Sequence, residues 1–398
     1  MSLSRVPAKR AKNGPDAEQP AQFAFLDSPS GRMTKSFGLW DLTPWQVIYT
    51  SSELRQGNYL ASVERTFEAR GHTYRLTLNP ARINRNGVKV EEYPGEREHL
   101  IELAIRKIAI QQRKLNLEVS DKDVVAINLQ FYDLYKELQS TGHTFGYKEI
   151  EEALVILNTA KVTIQRTDYD GDGEPWDLML GSAILPVMRL RKAGTANKEE
   201  RSSVYIQVNP LLAEAIRNLD FHDLNYETLM SLKPVSRYIY KRLQHAFVFG
   251  ENSGSPTLTL AASAVRDACG LNYSRSRKLF EVLATCFEDL KRMKLIESVT
   301  EEGVFQGEGK RRSKIDAMYC ILPSADFAAQ ALQAQMNVVR NIEAFEVISG
   351  GKRPSQGWIQ SADDPKQVRA SLRTKRTNPA AQTSLPLLEL VVADQPKT

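Results

Sequence analysis

The chain has few cysteines and no apolar segment long enough to span a membrane. Among its 398 residues there are three cysteines, Cys269, Cys286 and Cys320, and no two of them form a CxxC pair. Widely spaced cysteines in apolar surroundings are typical of reduced core thiols in a cytosolic protein. The apolar runs are far shorter than the ~20 residues of a transmembrane helix, and the N-terminal segment lacks the apolar stretch of a secretory signal. We therefore expect a cytoplasmic protein with no membrane partner.

Histidine is also scarce, and no catalytic motif can be recognised. The five histidines include no close pair, which argues against a metal-dependent site that nicks nucleic acid. No segment combines the glycine spacing of a phosphate-binding loop with the Ser or Thr that would hold magnesium. No arrangement of a nucleophile and a base is visible either. We expect a protein that is not an enzyme and that holds no metal or cofactor.

Positive charge is concentrated in one internal segment and in the terminal segments. The formal net charge is +5; residues 233–323 have 15 Lys/Arg against 10 Asp/Glu, whereas residues 37–232 have 23 against 28. A basic balance within one folded segment is expected of a protein that meets a polyanion through a defined domain. A merely solvated basic face is the alternative.

The pattern of apolar, polar and turn-forming residues predicts an α+β fold with two tandem winged-helix domains and disordered N- and C-terminal tails. A length of 398 residues suits two folded units plus tails. The predicted segments are a disordered basic tail (1–36), N-terminal strands plus a first winged helix (37–232), a second winged helix (233–325), a C-terminal helix (326–349) and a disordered tail (350–398).

The first predicted winged helix follows a hairpin. Strands at 62–69 and 73–78 flank the turn Arg70-Gly71-His72. Hydrophobic periodicity then predicts the order helix–strand–helix–helix–strand–turn–strand. These elements are placed at 96–112, 115–119, 120–138 (capped by Ser120 with Asp123 three residues on), 147–158, 161–167 and 178–190, followed by a strand at 201–208 and a helix at 209–219.

The same order recurs in the second predicted winged helix. The predicted elements are a helix at 235–249, a strand at 257–260, a short helix at 261–268 that stops at Gly270, a long helix from Ser274, and strands at 295–300 and 315–322 around a Gly-rich basic loop. The second helix of a helix-turn-helix enters the major groove of DNA, and its N-terminal residues reach base edges. The long helix is therefore the predicted recognition helix.

The residues at the start of this helix suit contact with duplex DNA. Arginine pairs with guanine and asparagine with adenine, and serine hydroxyls suit phosphate. Cations in the first turn oppose the helix dipole, so their presence there indicates a binding role. The predicted DNA-binding residues of the turn and helix are Asn272, Tyr273, Ser274, Arg275, Ser276, Arg277 and Lys278.

Two further basic segments are candidates for phosphate contact. The loop between the last two predicted strands has Lys310, Arg311, Arg312 and Lys314, as expected of a wing that lies along DNA; a solvated hairpin is the alternative. In the first winged helix Lys148 is followed by Glu149, Glu151 and Glu152. An acidic helix is poorly suited to reading DNA bases. We therefore expect either that Lys148 contacts a phosphate or that the helix serves in dimerisation or scaffolding.

Three stretches of the chain resemble theta-type plasmid replication initiators, the RepA/TrfA-like proteins built from two winged helices. They are Tyr93-Pro94-Gly95-Glu96-Arg97-Glu98 with the helix that follows, the pattern at 146–157, and SLKPVSRYIYKRL at 231–243. The resemblance covers about residues 60–325. It implies binding to repeated sites (iterons) at a plasmid origin, opening of an AT-rich segment, and recruitment of host replication proteins, including the host initiator and the replicative helicase. It also implies a monomer–homodimer equilibrium and repression of the protein's own gene.

The C-terminal tail contains a short pattern of its own. Residues Gln382, Leu385 and Leu387 match the spacing Q-x-x-L-x-[LF] of peptides that bind the bacterial sliding clamp, and an extended tail suits such capture. The leading hypothesis is a plasmid replication initiator, and the alternative is a winged-helix transcriptional repressor. An enzyme acting on DNA is a third class, for which the chain lacks a recognisable metal or nucleotide site.

Overall fold

The computed structural model describes most of the chain between residues 21 and 350. The described residues are 21–27, 30–48, 54–56, 59–112, 115–117, 125–167, 179–191, 202–249, 257–273, 276–306 and 313–350. Of the disordered tail predicted at 350–398, the residues from 351 onward lie outside them.

Twenty-eight elements of secondary structure make up the described part of the chain. The first part contains a 3-10 helix Ala21–Leu26, β1 Met33–Phe37, α1 Gly38–Leu42, β2 Arg55–Gln56, β3 Tyr59–Leu60, β4 Val63–Ala69, β5 His72–Asn79, β6 Ala81–Arg85, β7 Val88–Glu92, α2 Glu96–Gln111, β8 Leu115–Leu117, β9 Val125–Gln130, α3 Phe131–Ser140, α4 Tyr147–Thr159, β10 Lys161–Arg166, β11 Met179–Ala183, β12 Val187–Arg191, β13 Ser203–Gln207, α5 Pro210–Arg217, β14 Phe221–Asn225 and α6 Tyr226–Ser231. The second part contains α7 Pro234–Phe249, β15 Leu258–Ala261, α8 Ala262–Cys269, α9 Ser276–Arg292, β16 Ile296–Gln306, β17 Ser313–Pro323 and α10 Ala325–Ile348.

The second winged helix has the predicted order of elements. Helix α7, strand β15, helices α8 and α9, and the hairpin β16–β17 follow one another, and β17 lies between β15 and β16 in an antiparallel sheet. Helix α9 is amphipathic: Leu279, Leu283 and Leu290 are buried, and the Phe287 ring lies 4.8 Å from that of Tyr319 on β17. The apolar stripe therefore holds α9 against the sheet and leaves its other side to solvent.

The first winged helix is completed by the N-terminal hairpin. Helices α2, α3 and α4 precede β10 and β11, and β10 pairs with β11 on one side and with β5 on the other, in the order β11-β10-β5-β4. The predicted hairpin β4–β5 is confirmed, and its turn uses left-handed backbone at Arg70 and Gly71, with φ of 53° and 74°. The chain is thus an α+β protein with two winged-helix units.

The predicted helix at 120–138 is wrong in its first half. Residues Val125–Gln130 form strand β9, which pairs with both β8 and β13, and α3 begins only at Phe131. Val125, Ile127 and Leu129 are buried. Apolar residues at every second position satisfy a strand as well as a helix in a short window, and pairing on both sides decided between them. Ser120 and Asp123 lie outside the described residues.

The predicted strand at 178–190 is two strands in different sheets. Strand β11 pairs with β10 in the sheet of the first wing, whereas β12 pairs with β13 in the sheet β12-β13-β9-β8. Between them Ile184 and Leu185 are buried in the core. Pro186 follows, and because proline lacks a backbone donor it suits the end of a strand rather than its interior.

The prediction of a disordered tail at 1–36 is wrong for its last part. Strand β1, Met33–Phe37, pairs antiparallel with β14, and Lys35 Nζ donates to Asp223 Oδ1 across 2.7 Å with both side chains buried. The 3-10 helix Ala21–Leu26 also precedes it. The partner strand is almost two hundred residues away in the sequence, so no local pattern signals the pairing.

The two winged-helix units share one continuous hydrophobic core. Helix α10, which matches the predicted C-terminal helix, packs on α7, where the Phe327 ring lies 6.2 Å from Tyr240 and 6.0 Å from Phe247. The predicted boundary between residues 232 and 233 falls between α6 and α7. Because α7 packs on both parts, the two units form a single body.

Candidate nucleic-acid interface

The turn before α9 is built around Gly270. Helix α8 ends at Cys269, and Gly270 adopts left-handed backbone with φ of 64°, the conformation that commonly terminates a helix. The backbone N–H of Leu271 then donates to the Arg266 carbonyl across 2.9 Å, and the Leu271 side chain is buried. This turn directs the chain into α9, as a helix-turn-helix requires.

The first turn of α9 presents its predicted DNA-binding side chains to solvent. Ser276, Arg277 and Lys278 are exposed, and the Arg277 side chain is 90% exposed. Both cations form ion pairs with Glu281, whose oxygens lie 3.0 Å from Arg277 Nε and 3.8 Å from Lys278 Nζ. Surface pairs of this kind contribute about 0.5 kcal/mol or less, so both cations are available to a stronger anion. The predicted residues Ser274 and Arg275 lie outside the described residues.

The predicted residues of the turn itself differ in accessibility. Asn272 is exposed and lines a cleft against β4. Tyr273 is half-buried and packs against the core. The Asn272 side chain is therefore accessible to a ligand, whereas the Tyr273 side chain holds the turn against the core.

The wing is tied to α9 through Lys314. This side chain forms an ion pair with Glu301 on the neighbouring strand, and its Nζ lies 3.9 Å from the centroid of the Phe280 ring on α9. A lysine that already interacts with a carboxylate and an aromatic ring binds a phosphate less strongly than an unpaired lysine does. Of the predicted wing cations, Lys310, Arg311 and Arg312 lie outside the described residues.

Two acidic residues of α4 in the first winged helix, Glu149 and Glu152, form hydrogen bonds within the protein near its surface. The Glu149 carboxylate accepts the backbone N–H of Gly146 across 2.7 Å, which caps the helix. Glu152 accepts from Arg85 Nη2 across 2.7 Å and from Arg97 Nη2 across 3.2 Å, and Arg85 lowers the pKa of Glu152. The predicted phosphate contact Lys148 is exposed beside them. Helix α4 is therefore less acidic toward solvent than its sequence indicates.

A buried charge cluster joins the two winged-helix units. The Asp41 carboxylate of α1 accepts from Arg106 of α2 across 2.7 and 2.9 Å and from Lys241 of α7 across 2.9 Å. Burial opposes ionisation of Asp41, but Arg106 and Lys241 hold its pKa well below the usual value. His99 is also buried here, and burial together with the neighbouring cations lowers its pKa well below 6.5, so it is neutral. Sequence reasoning missed all four residues because they are far apart along the chain.

The cysteines occupy the positions expected of core thiols. Cys269 and Cys286 are buried, and Cys320 is half-buried. Burial raises the pKa of the Cys269 thiol to about 12, which keeps it protonated and unreactive. Within the described residues no group of three or more His, Cys, Asp or Glu side chains is placed to bind a metal ion. None of the described helices combines the length and the apolarity needed to cross a membrane.

Comparison with known proteins gives matches among solved structures alone. No protein-family model matches the chain, and no curated protein does. A crystal structure of selenomethionine derivatives of domains 2 and 3 of RctB matches at 10% identity with a TM-score of 0.39, covering 71% of this chain and 97% of that one. A second structure of RctB domains 2–3 matches at 11% identity and 0.38, covering 74% and 99%. The Pi initiator protein in complex with iteron DNA matches at 12% identity and 0.33, covering 58% and 96%. The assignment of two winged helices is made from the chain's own element order and strand pairing.

Proposed function

We propose that this protein is a plasmid replication initiator that binds repeated sites in duplex origin DNA through α9 and its wing. It promotes opening of an adjacent AT-rich segment and recruits host replication proteins, and it catalyses no reaction itself. The observation that carries the proposal is the exposed, cationic first turn of α9 on a winged-helix frame. The stretches that resemble plasmid initiators support the role in replication.

The position of these cations is unfavourable for the helix alone. Arg277 and Lys278 lie at the positive end of the α9 dipole, which costs a few tenths of a kcal/mol for each cation. Glu281 offsets this only weakly, since the pair is exposed. A DNA phosphate or a guanine edge would offset it more fully, which gives a physical reason for cations at this end of the helix.

The test of the DNA contact is the double change Arg277→Ala and Lys278→Ala. Duplexes that the full chain selects from a random library serve as the probe in fluorescence anisotropy. We expect at least a tenfold loss of affinity with an unchanged circular dichroism spectrum, since two charged hydrogen bonds are worth more than about 1.4 kcal/mol together. The matched control, Lys291→Ala with Arg292→Ala, removes the same charge from the other end of α9 and should change affinity little. Equal losses for the two pairs would contradict the role of α9.

A transcriptional repressor would use the same contacts on α9, so DNA binding does not distinguish the two functions. A replication assay does. A plasmid lacking its own origin receives the gene with its flanking DNA, and its maintenance is compared for the wild type and the Arg277→Ala, Lys278→Ala protein. Maintenance by the wild type alone supports an initiator. If neither plasmid is maintained while the wild type silences a reporter placed behind its selected site, the protein is a repressor.

The proposal extends to partners. The motif Gln382, Leu385 and Leu387 is proposed to bind the sliding clamp, and the host initiator and replicative helicase are proposed as further partners. A monomer–homodimer equilibrium and repression of the protein's own gene are also part of the proposal. Deletion of residues 382–387 is expected to abolish capture of purified clamp in a pull-down and to leave DNA affinity unchanged. Equal clamp capture by the truncated protein would remove this part of the proposal.

A further inference from the structure

A cleft of about 300 Å³ lies between the edge strand of the first winged-helix unit and the helix-turn-helix of the second. One wall is β4, which among the described strands pairs with β5 alone and so leaves alternate backbone N–H groups outside the sheet. The opposite wall is the turn before α9. Its polar lining includes Arg65, Arg75, Asn272, Glu64 and Asp267. The cleft thus opens beside the first turn of the proposed recognition helix.

The buried charge in this cleft is Arg65, a guanidinium with no carboxylate partner among the described residues. Its side chain is 4% exposed, and Nη1 donates to the carbonyls of Pro44 and Gln46 across 2.6 and 2.7 Å. Within the described part of the chain its Nε has no hydrogen-bond partner. A buried charge without a counter-charge is costly, and it adds positive potential to the cleft that it lines.

Gly270 allows the guanidinium of Arg65 to approach the turn. A Cβ at position 270 would lie 2.8 Å from Nη2 and 3.0 Å from Nε of Arg65, so a side chain there would force the guanidinium to shift. The side of the guanidinium that can bind an anion through two parallel donors is therefore turned toward the backbone that leads into α9. This geometry connects the charge of the first unit to the reading helix of the second.

The rim of the cleft supplies donors that a ligand can reach. Arg75 of β5 is exposed and forms no ion pair among the described residues, and Asn272 is exposed on the opposite wall. Of the two acidic residues, Asp267 is bound by Arg266 across 2.7 Å. Glu64 lies on the exposed face of β4, directed to solvent. The donors at the rim fit an anion with several oxygens, and the buried Arg65 adds positive potential beneath them.

We propose that this cleft binds a backbone phosphate of the DNA duplex whose groove is entered by α9, with Arg75 and Asn272 as donors and Arg65 as the buried charge beneath. This inference rests on the proposed DNA binding and names the first winged-helix unit as the source of a clamp on the DNA backbone. A phosphate contact of this kind fixes the orientation of the recognition helix without reading sequence.

The test uses Arg75→Gln in the full chain, because Arg65 also holds backbone carbonyls and its loss could prevent folding. The probe is the selected duplex with a single methylphosphonate, which removes one phosphate charge, moved stepwise along each strand. For the wild type, one methylphosphonate position beside the segment contacted by α9 should weaken binding about tenfold, the effect of one charged hydrogen bond. Arg75→Gln should weaken binding to the unmodified duplex similarly, lose sensitivity at that position, and reduce the slope of log K against log salt by about 0.9. Arg340→Gln removes an exposed charge on α10 and should keep the wild-type profile.

Two results would overturn this inference, and a third would contradict the proposed function. A methylphosphonate profile of Arg75→Gln that equals the wild-type profile overturns it. Stabilisation of the wild type by millimolar inorganic phosphate, lost in Arg75→Gln, together with an unchanged DNA profile would assign the cleft to a free phosphate compound and also overturns it. Failure of the wild type to select any duplex would instead contradict the proposed function itself.

Discussion

Replacing Asp41 by asparagine removes the single carboxylate on which Arg106 and Lys241 converge. Asp41 is 5% exposed and accepts three charged hydrogen bonds of 2.7 to 2.9 Å, as well as the backbone N–H of Phe37 across 2.7 Å. An asparagine has one acceptor oxygen, and its amide would face two buried cations with Glu102 as their remaining counter-charge. Breaking a buried ion pair from one side costs about 3–5 kcal/mol, so we expect a loss of that size in the free energy of unfolding.

The assay is urea unfolding of the full chain at pH 7, followed by circular dichroism. The matched control is Asp267→Asn, which breaks the Arg266–Asp267 pair, whose side chains are 43% and 50% exposed. Surface pairs contribute at most about 1 kcal/mol, so the control should unfold nearly as the wild type does. A loss for Asp41→Asn no larger than that of the control would refute the view that this cluster holds the two units together.

The stability of Asp41→Asn should also depend on pH differently from that of the wild type. Arg106 and Lys241 hold the pKa of Asp41 well below its usual value. A carboxylate with a depressed folded pKa contributes stability above its unfolded pKa and loses that contribution as the pH falls toward the folded pKa. The wild type should therefore lose more stability than Asp41→Asn as the pH is lowered below about 4. Parallel curves for the two proteins would contradict this assignment.

Two further predictions concern the second winged-helix unit. Gly270→Ala places a side chain at φ of 64° and 2.8 Å from Nη2 of Arg65, so we expect a loss of about 1–3 kcal/mol in urea unfolding; unchanged stability would contradict the described turn. Replacing Lys310, Arg311 and Arg312 by alanine should weaken binding to every duplex and reduce the salt slope by up to about 2.7, or 0.9 for each phosphate. An unchanged slope would remove the wing from the interface.

Elements specified by local patterns were predictable from the sequence. The apolar stripe of α9, the hairpin turn at Arg70 and Gly71, and the glycine stop after α8 each depend on residues within one or two turns of chain. The structure has them where the sequence predicts them. For the candidate site, this placed Ser276, Arg277 and Lys278 on the exposed first turn of a helix.

Elements specified by distant pairing were not predictable. Strand β1 exists because β14 offers it a partner, and β9 is a strand because β8 and β13 flank it. The partners β14 and β13 lie more than seventy residues along the chain from the strands they pair with. The same limit applies to Asp41, Arg106 and Lys241, since the value of each charge depends on two others that lie in separate helices.

Because ion pairs form between residues that are distant in the sequence, charge counted along the sequence does not by itself show which part of the chain attracts a polyanion. A count along the sequence treats every arginine alike, yet Arg85 and Arg97 are bound to Glu152, and Arg106 is bound to Asp41. Arg277 has only an exposed glutamate beside it, and Arg65 has no carboxylate at all among the described residues. What attracts a polyanion is the charge left after internal pairing. Part of that charge lies on the first turn of α9, at Arg277 and Lys278, and another part lies at Arg75 of β5. The proposed phosphate contact would let the first winged-helix unit support the second one in holding DNA despite its acidic composition.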